Sequence, residues 1–338
     1  MARKALRIVV SLALMIGLLA VFFWNVDFHE VGKALAHAHL GWLLAAILTA
    51  LSSYWIRAIR WQLILRPVGK TRHSSAMLAM VVGYAGITLL PARMGDILRP
   101  VLLAKRDRLS TSATLASTLT ERVFDLYTVV VFFLIFLIWP PPMPSVTTES
   151  ASHLHFFRFA GGLLAGGLIL ATLILFALFR YQDRLIELLV WPVAKLRRSW
   201  AEPLSGFFHH FMDGLRILQR PHDLIWVVLS SVVIWLIIFL QADFTLLAFD
   251  IHLPLRASYL LVTLTVLGLA VPTPGGAGGF HALLKGGLTG FFGVGTNLAT
   301  GVAIAYHAVC FYPITLIGLI CIPLFGLSLK AEVPEDES

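Results

Sequence analysis

The sequence predicts an all-α polytopic membrane protein, with about six spanning helices plus two oppositely oriented re-entrant helical hairpins that form an inverted repeat. Three observations lead there. The 338 residues are 58% hydrophobic and only 13% charged, with mean hydropathy +0.85, whereas about a quarter of a soluble domain is charged. Several apolar runs approach the roughly 20 residues that cross a bilayer. Lysine and arginine are concentrated in alternate loops, as the positive-inside rule expects of a fixed orientation.

The first expected span, 6–24, is built on the apolar run Ile8 to Trp24, which Arg3, Lys4 and Arg7 precede. Its apolar run ends in VFFWNVD with no small-residue cleavage site, so it reads as an uncleaved anchor helix. Further spans are expected at 40–56, 112–139, 157–179, 224–249 and 298–325. With the N-terminus inside, 21 of the 26 lysines and arginines fall on the cytoplasmic side, among them Arg57, Arg60, Arg66, Lys70 and Arg72 after the second span. This arrangement places both termini in the cytoplasm of a bacterial cytoplasmic (inner) membrane. Residues 1–330 form one transmembrane domain. Within it, 180–222 is a basic amphipathic segment suited to the cytoplasmic membrane surface, and 331–338 (AEVPEDES) is expected to be a disordered tail.

The charge count holds only if two apolar stretches enter and leave on one face. The first is SAMLAMVVGYAGITLLPARMGD, about 75–96, with basic residues on both sides; the second runs from about 257 to 292. Each contains a breaker. LLPARMGDILRPVLL holds Pro91-x-x-x-Gly95, and AVPTPGGAGGFHALL holds Pro274-x-x-x-Gly278. Broken helices in inverted repeats are a recurrent transporter plan, with the binding site at the breaks. Non-helical backbone at membrane depth survives only when buried in protein or lining a wet cavity. Gly275, Gly276, Gly278 and Gly279 permit positive φ and close approach. A helix beginning near Phe280 would aim free N–H groups into that cavity, a site suited to an anion.

Charges gather at the same places. Arg93, Asp96 and Arg99 surround the first break, and STLTERVFDLYTVV puts Glu121, Arg122 and Asp125 in the first half of an apolar segment. Such charges are costly in a membrane unless paired or hydrated. They suit either a salt-bridge cluster or an arginine-lined cavity for a phosphate, which the guanidinium fork can grip in two places. His281 and Lys285, at i and i+4, are expected to face that cavity too, with Gln241, Asp243 and His307 as weaker candidates. Cys310 and Cys321 lie in the last apolar run, with neither metal-ligand nor disulfide-framework spacing. No cofactor is expected, and the basic excess is a topology signal with no nucleic-acid partner implied.

PARMGDILRP, then TERVFDL, then VPTPGGAGGFHA resemble, in that order, the transmembrane module of lysylphosphatidylglycerol synthases, a module that also occurs alone in flippase-like membrane proteins. The resemblance covers roughly residues 8–326. It implies movement of charged phospholipids or polyprenyl phosphate-linked lipids between leaflets, and it matches Arg93, Gly95, Arg99, Glu121, Arg122, Asp125, Pro274, Gly275, Gly276 and Gly278 to motif positions. Asp96 and His281 stand where the family usually has glutamate. The second exchange removes a negative charge and favours an anionic headgroup. With no synthase domain, aminoacyl transfer is not implied, and an enzyme is not expected, since no nucleophile motif or metal spacing stands out. The alternative role is an accessory subunit that presents a lipid to a glycosyltransferase or other lipid-modifying enzyme.

Overall fold

The computed structural model describes residues 25–90, 93–143, 216–271 and 276–324 continuously, with scattered further positions in 17–23 and 159–213 and Thr273. The expected spans 6–24 and 157–179, the surface segment 180–222 and the tail 331–338 lie largely or wholly outside the described residues, as do Pro274 and Gly275. The described residues form helices without strands: α1 Phe28–Ala36, α2 Leu40–Leu65, α3 His73–Leu89, α4 Gly95–Asp107, α5 Thr111–Ile138, α6 Pro221–Leu247, α7 Leu255–Ala270, α8 Ala277–Phe292 and α9 Thr296–Leu324. Among them α2, α6 and α9 are long and apolar enough to cross a membrane. At 28 residues α5 has the length, but carries Glu121, Arg122 and Asp125.

Local chemistry sets these boundaries. Asp27 caps α1, accepting from the backbone N–H of His29 at 2.8 Å and of Glu30 at 3.3 Å. Ser110 caps α5 through the N–H of Ala113. Pro221 opens α6 at a position where a missing N–H costs nothing. The second span was expected to stop at 56, but α2 continues to Leu65 and buries Ala58, Arg60, Trp61, Ile64 and Leu65. Arg57 and Arg60 are therefore inside the bundle, not loop charges. The apolar spacing runs straight through them, at 54, 58, 61 and 65, which is one face of a helix.

Contacts at the helix ends define the two ends of the bundle. At one, Arg66 after α2 pairs with Asp223 of α6 at 2.5 Å, and Arg72 before α3 pairs with Asp107 closing α4 at 3.3 Å. At the other, the N–H of His39 donates to the Ala248 carbonyl at 2.8 Å, Arg256 of α7 donates to the Trp139 carbonyl at 2.8 Å, and the Asp27 N–H donates to Asn297 of α9 at 3.0 Å. The α3–α4 hairpin thus starts and finishes at the first end, and the α7–α8 hairpin at the second. Between them Phe132, Phe239 and Tyr259 interlock α5, α6 and α7, with ring centroids 4.6–5.0 Å apart.

Each hairpin is closed by glycine against glycine. A Cβ on Gly95 would lie 2.1 Å from the Gly83 carbonyl oxygen, and one on Gly279 would lie 2.3 Å from that of Gly268. Backbones approach this closely only where both sides lack a side chain, as in small-residue helix contacts in membranes. The breaks share a second feature. Arg93 (φ +56°) and Gly276 (φ +68°) both take left-handed backbone, each two positions after its proline.

Gly95→Ala and Gly279→Ala are expected to destabilise the protein, by about 1–3 kcal/mol each if neighbouring backbone can shift and by more if it cannot. Gly286→Ala, where an added methyl meets nothing within 4 Å, is expected to be neutral or stabilising by up to about 1 kcal/mol. Thermal unfolding of the purified protein in detergent distinguishes the two kinds of site.

Candidate functional site

The site is built outward from α5. Glu121 and Asp125, four apart, lie on one face of the helix and meet α2, where Arg57 and Arg60 are three apart. Arg60, with no exposed surface, sits 2.7 Å from Asp125 and 3.5 Å from Glu121; Arg57 reaches Asp125 at 3.3 Å. From α6, Ser231 accepts from Arg60 at 2.9 Å, and Trp235 donates to Asp125 at 3.3 Å. From α4, Arg99 pairs with Glu121. Its guanidinium lies 4.6 Å over the ring of Trp61, a cation–π contact. Gly83 makes room for it: a Cβ there would lie 2.5 Å from that of Arg99.

Arg122 is one residue further round α5 and points to the first break, where it pairs with Asp96. Arg93 lies 3.9 Å from Asp96 and donates to the Leu269 carbonyl at 3.3 Å, in the last turn of α7. The first break therefore touches the second. Between them is a cavity of about 410 Å³, within the range of small-molecule sites. Arg57, Arg93, Arg122, Asp96 and Asp125 supply its charged wall; Tyr54, Tyr84, Gln241 and Thr265 add polar groups, while Leu126, Val129, Val262, Val266 and Phe280 are apolar. Asp125 is halfway along α5 and Cys310, also lining, is halfway along α9. The cavity is thus midway between the two ends of the bundle.

The connected network holds five guanidiniums, Arg57, Arg60, Arg93, Arg99 and Arg122, against three carboxylates, Asp96, Glu121 and Asp125. Arg60, Arg99 and Glu121 are almost fully buried and take no part in the cavity wall; they fix α2, α4 and α5 together. Arg57, Arg93 and Arg122 present cationic surface to the cavity.

Several expectations are corrected here. His281 and Lys285 do not line the cavity. With Phe280 turned into it, the next residue lies about 100° round the helix, and His281 packs on Phe22 and on His307, with ring centroids 5.0 and 4.6 Å away. Lys285 donates to the Phe22 carbonyl at 2.6 Å. The missing negative charge at position 281 therefore does not alter the cavity wall. Among the described residues of the second break, Gly276, Gly278 and Gly279 do not line the cavity, and α8 contributes Phe280 to its wall. Gln241 is in the wall and donates to Cys310 Sγ at 3.1 Å; Asp243 and His307 are not.

Removing Glu121 leaves Arg60 and Arg99 buried with less compensation, so Glu121→Ala is expected to destabilise by about 3–5 kcal/mol. Arg99→Leu combined with Glu121→Leu is expected to recover part of that loss. Thermal unfolding of the single and double variants measures the coupling.

The family model described as the lysylphosphatidylglycerol synthase TM region matches residues 8–318. A protein named UPF0104 membrane protein, from Methanothermobacter thermautotrophicus, is 25% identical over 325 residues, spanning 90% of this chain and 91% of its own. A protein named glycosyltransferase AglD, from Haloferax volcanii, is 31% identical over 127 residues, which are 37% of this chain and 20% of that protein. No solved structure matches. With its apolar helices and a match over nearly all of its length, the chain is a helical membrane protein that belongs to the lysylphosphatidylglycerol synthase transmembrane-region family.

Proposed function

We propose that this protein translocates a lipid whose anionic, phosphate-bearing headgroup binds in the cavity between the two hairpin breaks. The observation that carries this reading is the wall itself: among the described residues Arg57, Arg93 and Arg122 face it, with Asp96 and Asp125 as counter-charges. Arginine stays charged when desolvated and grips phosphate oxygens in pairs. An anion entering this space would be drawn in by positive charge that the protein leaves uncompensated. The apolar half of the wall suits the glycerol or prenyl end of the same molecule.

The architecture supports the reading. The hairpin limbs have 13–17 residues, roughly 20–26 Å at 1.5 Å per residue, short of the ~30 Å hydrocarbon core. We read them as re-entrant, dipping from opposite faces and meeting at the midplane, an inverted repeat of the kind that alternates access by rocking. We read the end that carries Arg66, Arg72 and their basic neighbours as the cytoplasmic one, and expect the N- and C-termini on that side as well. The role is one of binding and movement, without catalysis or a cofactor.

A second reading is favoured by the 127-residue match to a protein named a glycosyltransferase. In it, the chain holds the lipid and presents it to such an enzyme or to another lipid-modifying partner.

Arg93→Gly separates function from folding. Glycine takes φ +56° without strain, so thermal stability is expected to be unchanged or higher by up to about 1 kcal/mol. Movement of a labelled anionic phospholipid across liposomes containing the purified variant is expected to fall at least about tenfold, the scale of one charge-assisted contact. Undiminished transport would remove Arg93 from the site. Wild-type protein that moves nothing alone, yet co-purifies stoichiometrically with a glycosyltransferase, would favour presentation.

A further inference from the structure

Resting on that reading, we infer that the headgroup is a phosphomonoester, a lipid ending in a terminal phosphate, in preference to a phosphodiester. The arginine network consists of two layers. The inner one places Arg57, Arg60 and Arg99 against Glu121 and Asp125; the outer one places Arg93 and Arg122 against Asp96. Each layer carries one positive charge more than its carboxylates offset, and the two layers meet at the cavity through Arg57 on one side and Arg93 and Arg122 on the other.

A guanidinium does not shed its proton in a protein, so the excess is permanent. Uncompensated charge in a low-dielectric site is costly, and the ligand that relieves it best brings the same number of charges of opposite sign. A phosphomonoester carries about −1.5 to −2 at neutral pH and three strong acceptor oxygens. A phosphodiester headgroup brings a single negative charge and two non-bridging oxygens. Three cavity-facing guanidiniums against three terminal oxygens, and an excess of two charges over the whole set of five arginines and three carboxylates against a dianion, both favour the monoester. The exposures fit the same division. Arg57 is 11% exposed, held by Asp125 at the inner wall, while Arg93 and Arg122 are 48% and 39% exposed at the outer one, so a terminal phosphate is gripped from both sides.

The test compares two lipids of identical chains on the full-length protein in nanodiscs, with bound lipid counted by native mass spectrometry. Dioleoyl phosphatidate is expected to be retained about tenfold better than dioleoyl phosphatidylglycerol, one extra charge-assisted contact being worth that order. Arg57→Gln and Arg93→Gln, each checked for an unchanged unfolding temperature, are each expected to bring that ratio close to one. Equal retention of the two lipids by the wild type, with both lost in Arg93→Gln, overturns the monoester assignment while leaving the anionic-lipid reading intact. Retention of neither lipid overturns both. Inorganic phosphate, titrated in as a third probe, is expected to displace phosphatidate only at far higher concentration. Displacement at equal concentration would make the site one for a soluble anion and overturn the lipid assignment.

Discussion

The burial of Arg60 is the constraint around which the bundle is organised. A guanidinium with no exposed surface must have counter-charges and acceptors brought to it, and two neighbouring helices supply them. Helix α5 provides Glu121 and Asp125, and α6 provides Ser231. Helix α4 provides Arg99, which shares Glu121 and rests on Trp61, one residue beyond Arg60 in α2. These contacts tie α2, α4, α5 and α6 to one another. The first hairpin is then pinned with its break turned toward the cavity. The ion pairs specify geometry more than they stabilise, since buried pairs contribute little net free energy compared with apolar packing.

The hairpins meet a different constraint. Backbone that leaves the helix inside a membrane bundle must be enclosed by protein or face a wet cavity. Gly95 against Gly83 and Gly279 against Gly268 close the limbs so tightly that neither side tolerates a Cβ. At each tip a left-handed residue turns the chain: Gly276 in one, Arg93 in the other. Arginine in that conformation is strained by about 1–3 kcal/mol. Its guanidinium reaches the Leu269 carbonyl across the gap, so the strained residue is also the link between the two breaks. Strain held at such a place is consistent with a binding role for Arg93.

Much of this was legible in the sequence. The breaker motifs located both hairpins, because proline and glycine carry their backbone preferences wherever they stand. Arg93, Asp96, Arg122 and Asp125 could be grouped because charges in apolar runs must find one another. Arg57 and Arg60 were misread as loop charges. An arginine counts toward topology only outside the membrane, and the apolar spacing continuing from Tyr54 through Ala58 and Trp61 to Leu65 was the available signal that α2 had not ended. The direction of His281 was hidden for another reason. Its proximity to a breaker fixes its depth, but the facing of α8 depends on Phe280 and on the Gly268–Gly279 contact, which no local pattern reveals. Arg99 and Glu121 were expected in two separate charge groups, with a salt-bridge cluster and a headgroup cavity left open for both; only packing brings the two together and keeps them out of the cavity wall.

The proposed occupant of the cavity between the breaks is an anionic phosphate-bearing lipid. Lipid analysis of the protein extracted directly from its membrane tests it most directly, comparing wild type with a variant in which Arg57 and Arg93 are both glutamine. Close to one phosphate-bearing anionic lipid per wild-type chain is expected, enriched over the bulk membrane, with its loss from the folded variant. Retention of neutral or zwitterionic lipid in its place, or equal retention of the anionic lipid by both proteins, would contradict it.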